Sequence, residues 1–331
     1  MKAIEYAEHG LPHQVCRCID VDDPAGPGPG EVMVSIEASA INPADLLVIE
    51  GRYPGPKQLP ARQGIEGAGK VLSVGSDVSD LSPGDPVMLL SRGNWVQRMT
   101  LAADQVVKIP DALDILQAAQ MKANPPSALL MLRDYKDLKP GDWVIQNAAN
   151  SAVGKHVIAV AKKSDIRTIN VVRRDSLFDP LKSIGADLVV LEGDDLGERV
   201  RAAIGSDNLP LALDASGGDS SMHLAGCLSD GGVVVNYGFL SGEPCKITPT
   251  QAIVKQISLQ GFWLVKNLFS GSRENIINTY DEVCELLISG VLHSPVEATY
   301  TLEQASDALA HARREGRDGK ILFIPNGPLE D

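Results

Sequence analysis

From Trp143 to Leu264 the chain alternates short apolar runs with helical segments, and this alternation constrains the fold more than any other feature. WVIQN (143–147), TINVV (168–172), DLVVL (187–191), LALDAS (211–216), GGVVVNYG (231–238) and ISLQGFWL (257–264) read as strands. Most carry apolar residues on successive positions, as expected of strands covered on both faces. AVGKHVIAVAKK (152–163), the stretch around DSLFDPLKSIG (175–185), DDLGERVRAAIG (194–205) and SSMHLAGCL (220–228) read as the helices between them. A strand–helix alternation of this length predicts an α/β fold, a doubly wound parallel sheet of the Rossmann type, over residues 122–265.

The rest reads differently. Up to about residue 110, VMVSIEASAI (32–41), GAGKVLSVGS (67–76) and DPVMLL (85–90) are short strands cut by turns at PAGPGPGE, GRYPGP and SPGD. This predicts a β-rich, barrel-like body. Asp114 and Ser127 are placed to cap helices over ILQAAQMK and ALLMLRDYK. After 265 come a long helix in SRENIINTYDEVCELLISG, a strand near VEATYTL, a helix in EQASDALAHARR and a last strand, KILFI. That tail is too small to fold alone. The expected division is therefore residues 1–121 with 266–331 in one domain, and 122–265 in the other.

The formal net charge of −13 argues against a broad nucleic-acid or anionic-membrane surface. No apolar run reaches the roughly 18 residues that a membrane span needs. MKAIEYAEHG reads as an immediate first strand rather than a signal peptide. The five cysteines, at 16, 18, 227, 245 and 284, are odd in number and scattered, so free thiols in a reducing, cytoplasmic-type compartment are expected.

The turn after WVIQN leads straight into a helix, and a helix N-terminus offers free N–H groups and a positive dipole end to a pyrophosphate. Such turns commonly carry three glycines. Here Ala149, Ser151 and Gly154 hold the three positions, so only Gly154 is kept. Taken alone, the turn is as consistent with a plain strand–helix corner as with a cofactor seat. The second strand tips the balance. It ends in VVRRD, where a cofactor with a free ribose 2′-hydroxyl is usually met by an acid. Arg173 and Arg174 suit a 2′-phosphate instead, which favours NADPH; the alternative is a solvated basic pair.

INPADLLVIEGRYP (41–54), GIEGAGKVLSVGSDV (64–78), GNWVQRM (93–99), IQNAANSAVG (145–154), RTINVVRRD (167–175), VNYG (235–238) and LQGFWL (259–264) together resemble the medium-chain dehydrogenase/reductase superfamily. Within it, the sequence is most similar to the mitochondrial-type trans-2-enoyl thioester reductases and is related to zinc-free quinone oxidoreductases. The resemblance spans nearly the whole chain and implies a GroES-like catalytic domain beside the Rossmann domain. The positions that hold catalytic zinc in metal-dependent relatives fall near Asn42, Ile65 and Ala123, which lack the thiolates and imidazole such a site needs, so no metal is expected.

The same resemblance implies roles for particular residues. Tyr53 matches the family's proton donor, and a phenol keeps its proton at neutral pH. Asn42, Asp45 and Trp263 line or brace the active site; for the first two, an Asn-Pro turn with Asp45 capping a helix is an alternative at least as strong. Asn124, the turn Asn150, Ser151, Ala152, Val153 and Gly154, the pair Arg173 and Arg174, then Tyr237, Gly238, Phe262, Trp263, Leu264 and Lys320 are the expected NADPH neighbours. Ala152 stands where relatives usually have glycine, and PPSALLML departs from the family's more polar run. Glu66 is expected to make a structural hydrogen bond. The basic run HARREGRDGK (311–320) would meet the phosphates of coenzyme A or an acyl carrier, or is a solvated helix end.

The expected activity is NADPH-dependent reduction of the C2=C3 bond of a trans-2-enoyl thioester. A quinone or enone reductase on the same scaffold and a non-catalytic NADPH-binding protein are the alternatives. Expected partners are a small-molecule acyl thioester, quinone or enone, an acyl carrier protein, and a second copy in a homodimer paired through sheet edges near GVVVNYG and ISLQGF.

Overall fold

The computed structural model describes residues 1 to 329. The chain divides into two compact units. One comprises Met1–Ala123 and the chain from Ile277 onward, and the other is Asn124–Ile276.

The second unit is built on a six-stranded sheet whose strands all run parallel. Its spatial order is Leu188–Leu191, Arg167–Val172, Trp143–Gln146, Leu211–Asp214, Val233–Asn236 and Ser258–Gly261. Trp143–Gln146 and Leu211–Asp214 are buried at every position, which is why their sequences are apolar without alternation. Helices cover both faces. Leu196, Val200 and Leu224 pack with Ile145, Ile169 and Val234 in one core, while Ile158 and Leu181 close on Val172 and Val189 in another. Each such side chain contributes about 1.5–3 kcal/mol by leaving water. The chain leaves Trp143–Gln146 toward one side and returns to the other through Leu211–Asp214. The switch point therefore lies at the carboxyl ends of these two strands.

In the first unit the ten-residue strand Glu31–Ala40 is the spine. It pairs antiparallel with Ala68–Val74, with Arg98–Ala102 and with Lys320–Phe323. The last of these pairings ties the C-terminal part of the chain to the N-terminal body. Val32, Val34 and Ile36 alternate inward along the spine. A small sheet of Lys2–Tyr6, Cys16–Asp20 and Ala61–Arg62 completes the unit.

Three local expectations change. The Ser127 cap is replaced by an earlier start: the helix runs Asn124–Asp134, because Pro125 and Pro126 suit a first turn where N–H groups have no partner. Asp114 does cap, accepting the Gln117 N–H at 2.9 Å, but its helix is only Ile115–Ala118. The stretch 175–185 splits into a 3₁₀ turn, Asp175–Leu177, and the helix Phe178–Ser183. Among the described residues no helix is long and apolar enough to cross a membrane.

Candidate active site

The first strand of the parallel sheet enters its turn through Ala148, held at φ +46°, and the helix Ala152–Lys163 follows. Ser151 is the N-cap. Its hydroxyl accepts the Gly154 N–H at 3.1 Å. Capping takes up one of the helix's orphan donors and leaves the N–H groups of Ala152 and Val153 without an intrahelical acceptor. Gly154 is pressed onto the turn. A Cβ there would lie 2.5 Å from the Ala149 carbonyl oxygen, so this position accepts no side chain. Gln146 holds the corner from below, donating to the Gly154 carbonyl at 2.9 Å and to Asn170 at 2.8 Å. Asn150 is exposed at the turn's tip.

The neighbouring strand ends are fastened together. Asn147 donates to Asp214 at 2.6 Å and accepts the Ala215 N–H at 2.7 Å, while Asp214 also takes the Ser216 and Gly217 N–H groups. Tyr237 and Gly238 lie just past Val233–Asn236. The Tyr237 hydroxyl is buried with no hydrogen-bond partner among the described residues. Burial pushes its phenol well up, and the Ser151 hydroxyl opposes the shift. The Asn124 amide Nδ2 is likewise buried and unpartnered. Arg173 and Arg174, directly after Arg167–Val172, are exposed and form no ion pair among the described residues. Phe262 is buried against Tyr135, Trp263 is 42% exposed and Leu264 is half-buried.

This arrangement fits a dinucleotide. It offers N–H groups at a helix start, a guanidinium couple at the next strand end that forms no ion pair among the described residues, and buried polar atoms on Tyr237 and Asn124 without a geometric hydrogen-bond partner among those residues.

The first unit gathers a second set of expected residues around Glu66. Asn42 is the N-cap of the helix Pro43–Ile49, and Asp45 reciprocates by accepting the Asn42 N–H at 2.8 Å. Asp45 also takes Gln63 Nε2 at 3.0 Å and the Ile65 N–H at 2.9 Å. Burial raises its carboxyl to about 6 despite these donors. The Asn42 side chain also bonds beyond this helix. Its Nδ2 donates to Glu66 Oε1 at 2.6 Å, and its Oδ1 accepts from the Lys320 ammonium. Glu66 Oε2 takes the Ala123 N–H at 3.1 Å. Burial lowers Lys320, with Glu66 the largest opposing influence.

Lys122 completes this layer and was not anticipated. Its ammonium donates to the carbonyls of Ile65, Leu90 and Ser91 at 2.5, 2.7 and 2.9 Å, and its own carbonyl accepts from Tyr280. Nothing in the sequence signals this, because these three acceptors are backbone atoms of distant segments. The positions that resemblance assigns to metal ligands thus hold an amide, an isoleucine and an alanine, with an ammonium on the amide oxygen. Zinc does not fit that donor set. Among the described residues no three His, Cys, Asp or Glu side chains converge.

Tyr53 is half-buried in the irregular loop after the helix Pro43–Ile49, so one short helix carries Asn42 at its start and leads to Tyr53 beyond its end. The five cysteines are free, and burial pushes Cys16, Cys227 and Cys284 up to about 12. Thiols held protonated by burial in this way are poor nucleophiles.

A parallel doubly wound sheet with a capped, glycine-tightened first turn, joined in one chain to a β-rich body, defines a Rossmann-type oxidoreductase. Residues 28–111 match the alcohol dehydrogenase GroES-like domain family and residues 152–286 the zinc-binding dehydrogenase family. The chain belongs to the medium-chain dehydrogenase/reductase superfamily. It is 36% identical to the mitochondrial enoyl-[acyl-carrier-protein] reductase of Xenopus tropicalis, over 98% of this chain and 95% of that protein. Among solved structures it is similar to Etr1p in complex with NADP and crotonyl-CoA, with a TM-score of 0.87 and 30% identity over 98% of this chain and 99% of that one. It is also similar to the Escherichia coli quinone oxidoreductase complexed with NADPH, with a TM-score of 0.87 and 26% identity over 98% and 100% of the two chains.

Proposed function

We propose that this chain reduces the C2=C3 double bond of trans-2-enoyl thioesters with NADPH. One observation carries the reading: the Asn42–Glu66–Lys320 cluster occupies the position of a Lewis-acid site with groups that do not suit a metal. Negative charge on the thioester oxygen must then be met by hydrogen-bond donors, and the α-carbon proton must come from an organic acid. Tyr53 is that acid. NADPH supplies the hydride that goes to the β-carbon.

The chain's own residues divide the remaining work. The N–H groups of Ala152 and Val153 hold the pyrophosphate, with Asn150 and Ser151 beside it. Arg173 and Arg174 grip the 2′-phosphate. Asn124, Tyr237 and Gly238 face the ribose and nicotinamide end, where Tyr237 and Asn124 bring their unpartnered polar atoms. Phe262, Trp263 and Leu264 exclude water from the reacting ring. Asn42 and Asp45 brace the helix that leads to Tyr53, and Lys320 adds positive charge. This reading divides the chain at 121/122 and 265/266 into a catalytic body and a cofactor body.

The likeness to the quinone oxidoreductase keeps a second reading, reduction of a quinone or enone. NADPH oxidation measured side by side with crotonyl-CoA, longer enoyl-CoAs, an enoyl acyl carrier protein and a naphthoquinone separates the two. A quinone rate equal to or above the thioester rate overturns the first reading.

We also propose a homodimer. Ser258–Gly261 is an edge strand, and Leu259, Ile253 and Val254 are 37%, 70% and 71% exposed beside or near it. Two copies joined edge to edge would cover this apolar surface; a monomer in sedimentation overturns the pairing. Free, scattered thiols support a reducing compartment, taken here as cytoplasmic, which cell fractionation tests.

A further inference from the structure

The first arginine of the basic run 311–320 is tied to the segment that leads into the Tyr53 loop. Arg313 follows the helix Ala305–Ala312 and forms an ion pair with Glu50 Oε1. Glu50 Oε2 pairs with Arg52 at 3.2 Å. Glu50 is the C-cap of the helix Pro43–Ile49, three residues before Tyr53. Its side chain is only 12% exposed, against 36% for Arg313 and 62% for Arg52. A carboxylate held that far from water depends on its two guanidinium partners.

The backbone around it is otherwise set by local geometry. The Gly51 N–H bonds to the Val48 carbonyl at 3.0 Å and the Arg52 N–H to the Leu47 carbonyl at 2.8 Å, the paired bonds of a Schellman end. Gly51 sits at φ +73°, and a Cβ there would touch the His9 ring at 3.2 Å. His9 Nδ1 lies 3.2 Å from the Ile49 carbonyl oxygen. Farther along, Gly55 lies against Val48, where a Cβ would come within 2.4 Å of its Cγ1. These contacts fix the helix end. Beyond these local contacts, the Glu50 pair reaches through side chains to a segment 263 residues away in the chain.

We propose that Arg313 and Glu50 form an ionic latch that positions the Tyr53 loop for proton donation. Arg313 is a positioning residue: it acts through Glu50 on the segment Gly51–Tyr53 and touches no reacting atom. The inference rests on Tyr53 being the proton donor, and it gives the basic run 311–320 a purpose inside the molecule rather than on a carrier's phosphates.

The test is a mutant cycle with Arg313→Met, Glu50→Gln and the double variant, read by crotonyl-CoA turnover, thermal melting and trypsin cleavage after Arg52 and Lys57. A misplaced reacting group costs rate far more than binding, so each single variant should lower kcat about fivefold to tenfold while KM for NADPH stays put. The double variant should lose no more than either single, because the two changes break one contact. Arg313→Lys should restore part of the rate, and tryptic cleavage at the loop should quicken in both single variants. Unchanged kcat and unchanged cleavage in Arg313→Met, or losses that multiply in the double variant, overturn the latch. If the donor assignment itself is wrong, Tyr53→Phe keeps full turnover while the cleavage result still stands, so the two failures are distinguishable.

Discussion

Asn42 donates its side-chain amide to Glu66 across 2.6 Å while its carbonyl oxygen takes the Lys320 ammonium, so one neutral side chain spaces a buried carboxylate from a half-buried cation. Replacing Asn42 with alanine leaves Glu66 short of a donor and Lys320 short of an acceptor. The expected cost is about 2–4 kcal/mol, seen as a melting point lower by several degrees. A melt matching the parent protein would show that the cluster does not support the first unit.

Tyr53→Phe removes the hydroxyl that carries the proposed proton. General acids contribute roughly 10²–10⁴ in rate, so kcat with crotonyl-CoA should fall at least about a hundredfold, with NADPH affinity unchanged in a fluorescence titration.

Arg173 and Arg174 have no ion-pair partner among the described residues, which leaves both for a phosphate. Charge-assisted hydrogen bonds are worth about 1.5–3 kcal/mol, so replacing both with alanine should raise KM for NADPH by one to two orders of magnitude and leave KM for NADH alone. Equal effects on both coenzymes would remove these residues from the 2′-phosphate.

Gly154→Ala drives a methyl to 2.5 Å from the Ala149 carbonyl oxygen, a backbone atom that cannot swing aside. Either the helix start shifts or the turn opens. Calorimetry should show NADPH binding lost or strongly weakened, with about 1–3 kcal/mol of stability lost as well.

Lys122 gives a pH signature. Burial pulls its ammonium down to about 7, with Glu66 opposing. An unfolded lysine titrates near ~10.4, so between these values the unfolded chain binds the extra proton. Stability contributed by this group therefore rises as pH increases from 7 toward 10 and is least below 7. Lys122→Met removes that slope. Denaturant melts at pH 7 and 8.5 should show the parent gaining about 1–2 kcal/mol on the variant. Parallel curves would mean that the lysine titrates normally.

The parallel sheet was legible because strands buried on both faces must be apolar at successive positions, and helices between them must be amphipathic. The tight strand–helix turn was legible for a related reason: a helix start pressed onto the preceding strand needs small residues and one position without a side chain, and Gly154 marks it. The Arg173–Arg174 pair stood out as two cations where an acid is usual. The polar cluster of the first unit was only half visible. Asp45 as a cap could be read from Asn-Pro-Ala-Asp, since it is a matter of four consecutive residues. The bonds from Asn42 to Glu66 and Lys320, and from Lys122 to three carbonyls, join residues far apart in sequence and follow no period.

The sequence by itself determined the class of fold and the position of the tight turn after the first parallel strand, because each depends on residue type at local spacing. The tertiary structure decided how the buried charges are shared. A carboxylate, an amide and two ammonium groups can be kept from water only where distant strands converge to supply every donor and acceptor, and local spacing carries no record of that convergence.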